Sequence, residues 1–278
     1  MSLLRYNFES QYLRQNNEII VILPDRPKNL YAEEFFSQPK KYPVLWLLHG
    51  TYGDCTDWIR KSNIERYACE RNIAVVLPCA MNSDYVNWPK FGMGYDYWDY
   101  FFKELMPLVY HWLPISDRRE DNFLAGLSMG GLGAAMYGLN RPELFDACGV
   151  FSYPLIDLEH NVDPYDGDKM PLDVAGLEGM GKRNRNMEEN MGCREAFVHS
   201  VYHVWEKFFQ EYPTGKLPRM FFVCGTEDFF WDSYCIMKKA ILEKGYEDIT
   251  FLEYEGLAHE WETWDRAVKA FLDFCLKK

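Results

Sequence analysis

No run of apolar residues in this chain approaches the roughly 18 to 20 that a bilayer-spanning helix needs, so no membrane span is expected. The first residues, Met1-Ser2-Leu3-Leu4-Arg5-Tyr6-Asn7-Phe8-Glu9, lack the continuous apolar core and small-residue cleavage site of a secretory signal. Basic residues are in the minority. Against 42 Asp and Glu stand 30 Lys and Arg, a formal charge of -12, and the resulting negative field argues against nucleic acid or an anionic membrane as a partner. An uncharged small molecule fits better. The eight cysteines form no Cys-x-x-Cys pair and no compact framework, and Cys148 and Cys224 sit inside apolar runs. They read as free thiols, which together with the missing leader gives the expectation of a reducing cytoplasm. Internal repeats, low-complexity tracts and shifts of composition are also lacking, so residues 1–278 are expected to form a single domain.

What is there is a regular alternation of short apolar runs with helix-period segments, the pattern of a mainly parallel sheet flanked by helices. Strands are expected at Glu18 to Pro24, paired antiparallel with the preceding chain, and at Val44 to Leu48, Ile73 to Leu77, Phe123 to Ala125, Ala147 to Phe151, Met220 to Cys224 and Ile249 to Tyr254. Helices are expected at about Tyr97 to Trp112, with Leu105, Leu108, Val109 and Trp112 on one face and a kink at Pro107. Others are expected from Ser128 to before Pro142, at Ser233 to Lys244, and from Trp261 to Cys275. The segment of about residues 154–218, with Gly176 to Arg183 inside it, is long for a connection in such a sheet. A cap or lid over a binding site is one account of it and a surface loop of no consequence is the other; a helix from Glu195 to Gln210 would anchor it.

The strongest chemical signal is Gly126-Leu127-Ser128-Met129-Gly130-Gly131, placed between a predicted strand and a predicted helix. A serine on so sharp a turn is held in a strained backbone, and only glycine on either side leaves room for it. At a helix start it also meets free backbone N–H groups and the positive end of the dipole. An incidental serine in a glycine-rich turn is the competing account. A serine hydroxyl needs a base, and only six histidines are available. His259 lies between the last strand and the last helix, at the sheet edge that would also carry Ser128, whereas His111 falls in a helix and His160, His199 and His203 fall in the long segment. His49 follows an early strand and is expected to hydrogen-bond within its own turn. A carboxylate must hold the imidazole in one tautomer. Asp228, in Cys224-Gly225-Thr226-Glu227-Asp228, is the first choice, with Glu227 and Asp232 as competitors.

Negative charge on a substrate carbonyl oxygen calls for two pre-aimed backbone donors. Met129 N–H is one, and the turn His49-Gly50-Thr51-Tyr52-Gly53 supplies the other through Thr51 or, failing that, Gly50. His199 and His203, four apart, would share a helix face, but no third ligand accompanies them and no metal site is expected. Trp58, Trp88 and Tyr95 are the candidate substrate-contacting aromatics. For the cluster Trp88, Phe91, Tyr95, Tyr97 and Trp98, a pocket lining and plain core packing remain alternatives.

With these residues in place the chain resembles the esterase D family of α/β-hydrolases, a group that includes tributyrin-type bacterial esterases, acetyl xylan and feruloyl esterases, and S-formylglutathione hydrolases. The resemblance runs from about Tyr42 to Lys277. It rests on Tyr42-Pro43-Val44-Leu45-Trp46-Leu47-Leu48-His49-Gly50, on Glu104-Leu105-Met106-Pro107, on the Ser128 motif, on Gly225-Thr226-Glu227-Asp228 and on His259-Glu260-Trp261. It is nearest to the bacterial tributyrin and acetyl esterase branch, where a Gly-Thr-Glu-Asp acid loop and a His-x-Trp base loop recur, whereas S-formylglutathione hydrolases usually carry histidine where Leu127 stands. The resemblance implies an α/β-hydrolase fold, a two-step acyl-enzyme mechanism with no metal or organic cofactor, and short acyl groups, among them acetyl groups on carbohydrates. Feruloyl or S-formylglutathione hydrolysis, acyl transfer, and a hydrolase scaffold used only for binding are the alternatives. A homo-oligomer is compatible with all of them.

Overall fold

The computed structural model describes residues 2–37, 39–157, 183–246 and 249–277. Strands β1 (Ser2–Ser10) and β2 (Gln15–Leu23) form an antiparallel hairpin. They are followed by β3 (Val44–Leu48), β4 (Ala74–Pro78), a separate small hairpin of β5 (Asn87–Trp88) and β6 (Tyr95–Asp96), then β7 (Asn122–Leu127), β8 (Ala147–Phe151), β9 (Arg219–Gly225) and β10 (Thr250–Tyr254). The main sheet has eight strands in the order β1-β2-β4-β3-β7-β8-β9-β10. β2 pairs antiparallel with β4, and every pair from β4 to β10 is parallel.

The apolar runs account for this layout. Every residue of β3, β4, β7 and β8 is buried, as strands covered on both faces must be, while β10 at the edge is half exposed. Alternate side chains feed two cores. Val44, Trp46 and Leu48 join one with the helices Met129–Asn140, Val204–Glu211 and Trp231–Glu243 and the helical stretch 97–112. Leu45 and Leu47 join the other with the helices Ile64–Arg71 and Trp261–Leu276. The chain lays β4 on one side of β3 and then returns to lay β7 on the other. In such sheets the crevice at this reversal, beyond the C-terminal ends of the strands, is where ligands bind. Here it is bounded by the loop after β3 and by the turn after β7.

Three helical expectations are corrected. Residues 97–112 are helical throughout, but Tyr100–Leu105 is π-helical, and Pro107 sits where the helix returns to α geometry in Met106–Trp112. Trp112, placed on the buried face by its spacing, is 62% exposed and stands edge-on to Tyr6 of β1. The helix expected from Glu195 to Gln210 is two helices, Arg194–Val198 and Val204–Glu211. Ser200 accounts for the break: its hydroxyl donates to Phe197 O and accepts from Tyr202 N–H, offering the backbone an alternative to the helix. His199 and His203 therefore share no helical face, and His203 is buried. Of the long segment, Gly176 to Lys182 and His160 lie outside the described residues. Among the described residues no helix is long and apolar enough to cross a membrane.

Candidate active site

β7 ends at Leu127 and the helix Met129–Asn140 begins at the next residue but one, so Ser128 alone makes the turn. Its backbone has φ 51° and ψ -120°, a region that side-chain-bearing residues seldom occupy and that costs about 1–3 kcal/mol. The surroundings enforce it. Ser128 N–H donates to Phe151 O at the end of β8 (2.9 Å), and Ser128 O accepts from Leu132 N–H (3.0 Å). A Cβ on Gly126 would lie 2.2 Å from Gly130 O, so only glycine lets the helix fold back this tightly on its strand. Met129 is the first helical residue, where the helix offers no acceptor for an N–H.

The loop after β3 lies against this turn: a Cβ on Gly50 would be 2.5 Å from Leu127 Cδ1 and 3.4 Å from Ser128 Cβ. Gly50 is thus brought to Ser128, with Thr51 next to it in the chain. His49 shapes the loop. Its Nδ1 is 2.8 Å from Gly50 O and its Nε2 is 2.9 Å from Ala80 N. Only a neutral ring with the proton on Nδ1 satisfies both, donating to the carbonyl and accepting from the amide. Tyr85 Oη–H donates to His49 O (2.7 Å), and Gly53 N–H to Gly50 O (3.1 Å). Burial of the imidazole holds its pKa below the ordinary 6.5, against the smaller opposing effect of the Gly50 carbonyl. The sign of the consequence is fixed. Between the folded and unfolded values the unfolded chain binds the extra proton, so stability is full above pH 6.5 and is lost as the pH falls below it. Urea unfolding at about pH 7.5 and about pH 5.5 is expected to show a smaller loss for His49→Gln than for the unaltered protein.

Two strands further along, Asp228 leaves β9 and His259 follows β10. The loops are tied together: Thr226 N–H donates to Tyr254 O (3.0 Å), Glu227 N–H to Leu257 O (2.9 Å) and Gly256 N–H to Thr226 Oγ1 (2.9 Å). His259 Nδ1 stands 2.9 Å from Asp228 Oδ2 and 3.1 Å from Oδ1. A carboxylate can only accept, so Nδ1 carries the proton and Nε2 of the neutral ring has its lone pair free. The Asp228 side chain is fully buried and also accepts from Phe230 N–H at 2.9 Å. Glu227 and Asp232, the competitors, are exposed. Phe229 lies over the imidazole with ring centroids 4.3 Å apart, and Trp264 meets it edge-on at 5.0 Å. Trp264 escaped the sequence reading as anything but a core residue of the last helix.

The aromatics divide. Trp58 is fully buried on the far face of the sheet, with its indole N–H donated to Leu48 O (3.0 Å) and its ring against Phe151 and Trp261. It offers no surface to a substrate, which corrects that assignment. Trp88 and Tyr95 line a cleft of about 420 Å³ with Tyr52, Gly53, Met81, Asn82, Ser83 and Phe91. Tyr97 is fully buried and Trp98 packs on Phe102 and Tyr137, so those two belong to the core. The cleft starts at Tyr52 and Gly53, directly after the loop that flanks Ser128. Among the described residues no three His, Cys, Asp or Glu side chains gather as a metal site would require.

Comparison with known proteins agrees with this architecture. An acetyl esterase of Caldicellulosiruptor saccharolyticus is 27% identical over 270 residues, covering 96% of both chains. Among solved structures, an S-formylglutathione hydrolase (FrmB) from Staphylococcus aureus superposes with a TM-score of 0.76 at 24% identity, covering 99% of this chain and 98% of its own. The substrate-bound fluorophosphonate-binding serine hydrolase F of Staphylococcus aureus gives 0.74 at 24% identity, over 100% and 99%. The esterase family model, described as "Putative esterase", matches residues 10–220. With most of its length so matched and its sheet shared with these hydrolases, the chain belongs to the esterase family and is a carboxylic ester hydrolase of α/β-hydrolase fold.

Proposed function

We propose that the protein is a serine carboxylesterase for short acyl esters, acetyl esters foremost, working through Ser128, His259 and Asp228. The observation that carries this is the 2.9 Å pairing of His259 with a buried Asp228, at the same sheet edge as a serine in a strained strand-to-helix turn. His259 Nε2 takes the hydroxyl proton as Ser128 Oγ attacks the ester carbonyl. The oxyanion of the tetrahedral intermediate is met by the N–H groups of Met129 and Thr51. The proton then passes from His259 to the departing alcohol, leaving an acyl-serine. Water, deprotonated by the same imidazole, releases the acid and restores the serine.

The cleft of Tyr52, Met81, Trp88, Phe91 and Tyr95 takes the larger, apolar part of the ester. Tyr52, Met81 and Phe91 are 68%, 52% and 60% exposed, a grouping of large apolar side chains that a surface without a ligand does not favour. The helix Arg183–Met191 packs on the hairpin that walls this cleft, with Asn190 Nδ2 donating to Asn87 O (2.8 Å) and Lys90 Nζ to Glu189 O (3.3 Å). That contact supports a cap role for the long segment. Likeness to an acetyl esterase along nearly its whole length supports the acyl preference.

The test is acid release from acetyl, butyryl, feruloyl and S-formylglutathione substrates measured side by side. A kcat/KM that peaks at acetyl or butyryl supports the reading, and a preference for the glutathione thioester or the feruloyl ester overturns its substrate class. Phe91→Ala, which removes a wall but no hydrogen bond of its side chain, is expected to raise KM about tenfold for an acetate of a bulky aromatic alcohol and far less for ethyl acetate. Steady-state kinetics on the two esters check this.

A further inference from the structure

Ser152, directly after β8, has a positive φ like Ser128, also at 51°. It is fully buried. Its N–H donates to Val223 O of β9 (2.8 Å), and its Oγ accepts the indole N–H of Trp264 (2.9 Å). The preceding residue, Phe151, provides the carbonyl that receives Ser128 N–H. Trp264 in turn meets the His259 imidazole with the two rings perpendicular (88°) and centroids 5.0 Å apart. Phe229 covers the imidazole at 4.3 Å but is 44% exposed, and the buried Phe230 on which it packs stands farther from the imidazole, at 5.8 Å. Trp264 is 6% exposed and anchored.

We infer that Ser152 and Trp264 are positioning residues that register the base against the nucleophile, an inference that rests on the assignment of His259 as base. The dipeptide Phe151-Ser152 holds both partners: the carbonyl of the first fixes the backbone of Ser128, and the hydroxyl of the second fixes the ring that braces His259. Asp228 bonds Nδ1 alone and does not by itself fix the rotation of the imidazole about that bond, and the exposed Phe229 covers one side of it. The anchored wall perpendicular to the ring limits this rotation from another direction. The positive φ falls at the residue whose hydroxyl meets the last helix through Trp264. Proton transfer is sensitive to sub-ångström placement, so loss of the brace falls on the chemical step and not on substrate binding.

The experiment compares Ser152→Ala, Trp264→Phe and the double variant with the unaltered protein, using a chromogenic acetate ester. Trp264→Phe keeps an aromatic ring but loses the indole hydrogen bond and part of the buried ring, so its unfolding transition is measured beside its kinetics, and it stays informative even where Ser152→Ala unfolds. Each single change is expected to lower kcat about 10- to 100-fold with KM within about twofold, and to slow phosphonylation of Ser128 by a fluorophosphonate reagent in parallel. The pH profile of kcat/KM is expected to move its ionisation limb, and the double variant to be no worse than the poorer single one, because one linkage is broken in all three. Folded variants with unchanged kcat, or losses that multiply in the double variant, overturn the inference. His259→Ala separates the two levels: activity surviving there removes the base assignment itself, while its loss alongside fully active Ser152 and Trp264 variants removes only the brace.

Discussion

Ser128→Ala is expected to lower kcat about 10⁵- to 10⁶-fold while leaving the thermal midpoint nearly unchanged. Alanine occupies the same strained φ and ψ as serine at no greater steric cost, so the turn between β7 and its helix survives. What is lost, in the mechanism proposed above, is the atom that bonds to the acyl carbon. Residual turnover would come from the oxyanion donors and from water positioned by His259. Ser152, the one other serine with a positive φ, has its oxygen engaged by Trp264 and is closed to solvent. Parallel measurements of kcat and of the unfolding transition check this, and a variant retaining more than about a hundredth of the activity would place the nucleophile elsewhere.

Asp228→Asn is the second large effect, about 10⁴-fold in kcat, for a different reason. Phe230 N–H donates to Oδ1, so the amide oxygen keeps that position and the amide nitrogen takes the place of Oδ2, facing His259 Nδ1. Two donors then confront each other unless the imidazole moves its proton to Nε2. In that tautomer the ring is intact and correctly placed but has no lone pair for the serine proton. Binding is unaffected, so KM is expected to hold while kcat falls. Kinetics at neutral pH, together with the unfolding transition of the variant, distinguish this from a loss of structure.

The features legible in the sequence are those that a short window determines. Strands β3, β4, β7 and β8 are buried on both faces and therefore read as unbroken apolar runs. The Ser128 turn needs small residues at fixed offsets, and the acid and base loops follow strands whose order in the chain mirrors their order in the sheet. What was not legible depends on the other side of a contact. Trp58 and Trp88 are equally aromatic, yet the first falls on the face packed by the last helix and the second in the two-residue strand of a hairpin too short to leave a periodic trace. Trp264 has the spacing of a core residue because it is one; only the positions of Ser152 and His259 give it a second role. The break after Val198 comes from one serine hydroxyl competing with the helix, an effect that apolar periodicity does not register.

The helix that follows Ser128 carries no charged residue from Met129 to Asn140, and all but its last residue are buried. With no polar face it has no stable existence on the surface of a half-formed chain, and a free peptide of this length holds little helix in water. It is closed in by β3, β7 and β8 from the sheet and by the helix Val204–Glu211 from outside, so segments as far along the chain as that helix must be in place before it is covered. The geometry of the Ser128 turn is therefore a product of the completed core and not of its own motif: a nascent or locally opened chain carries the six residues of the motif without the elbow, and gains the strained turn only as the last layer closes.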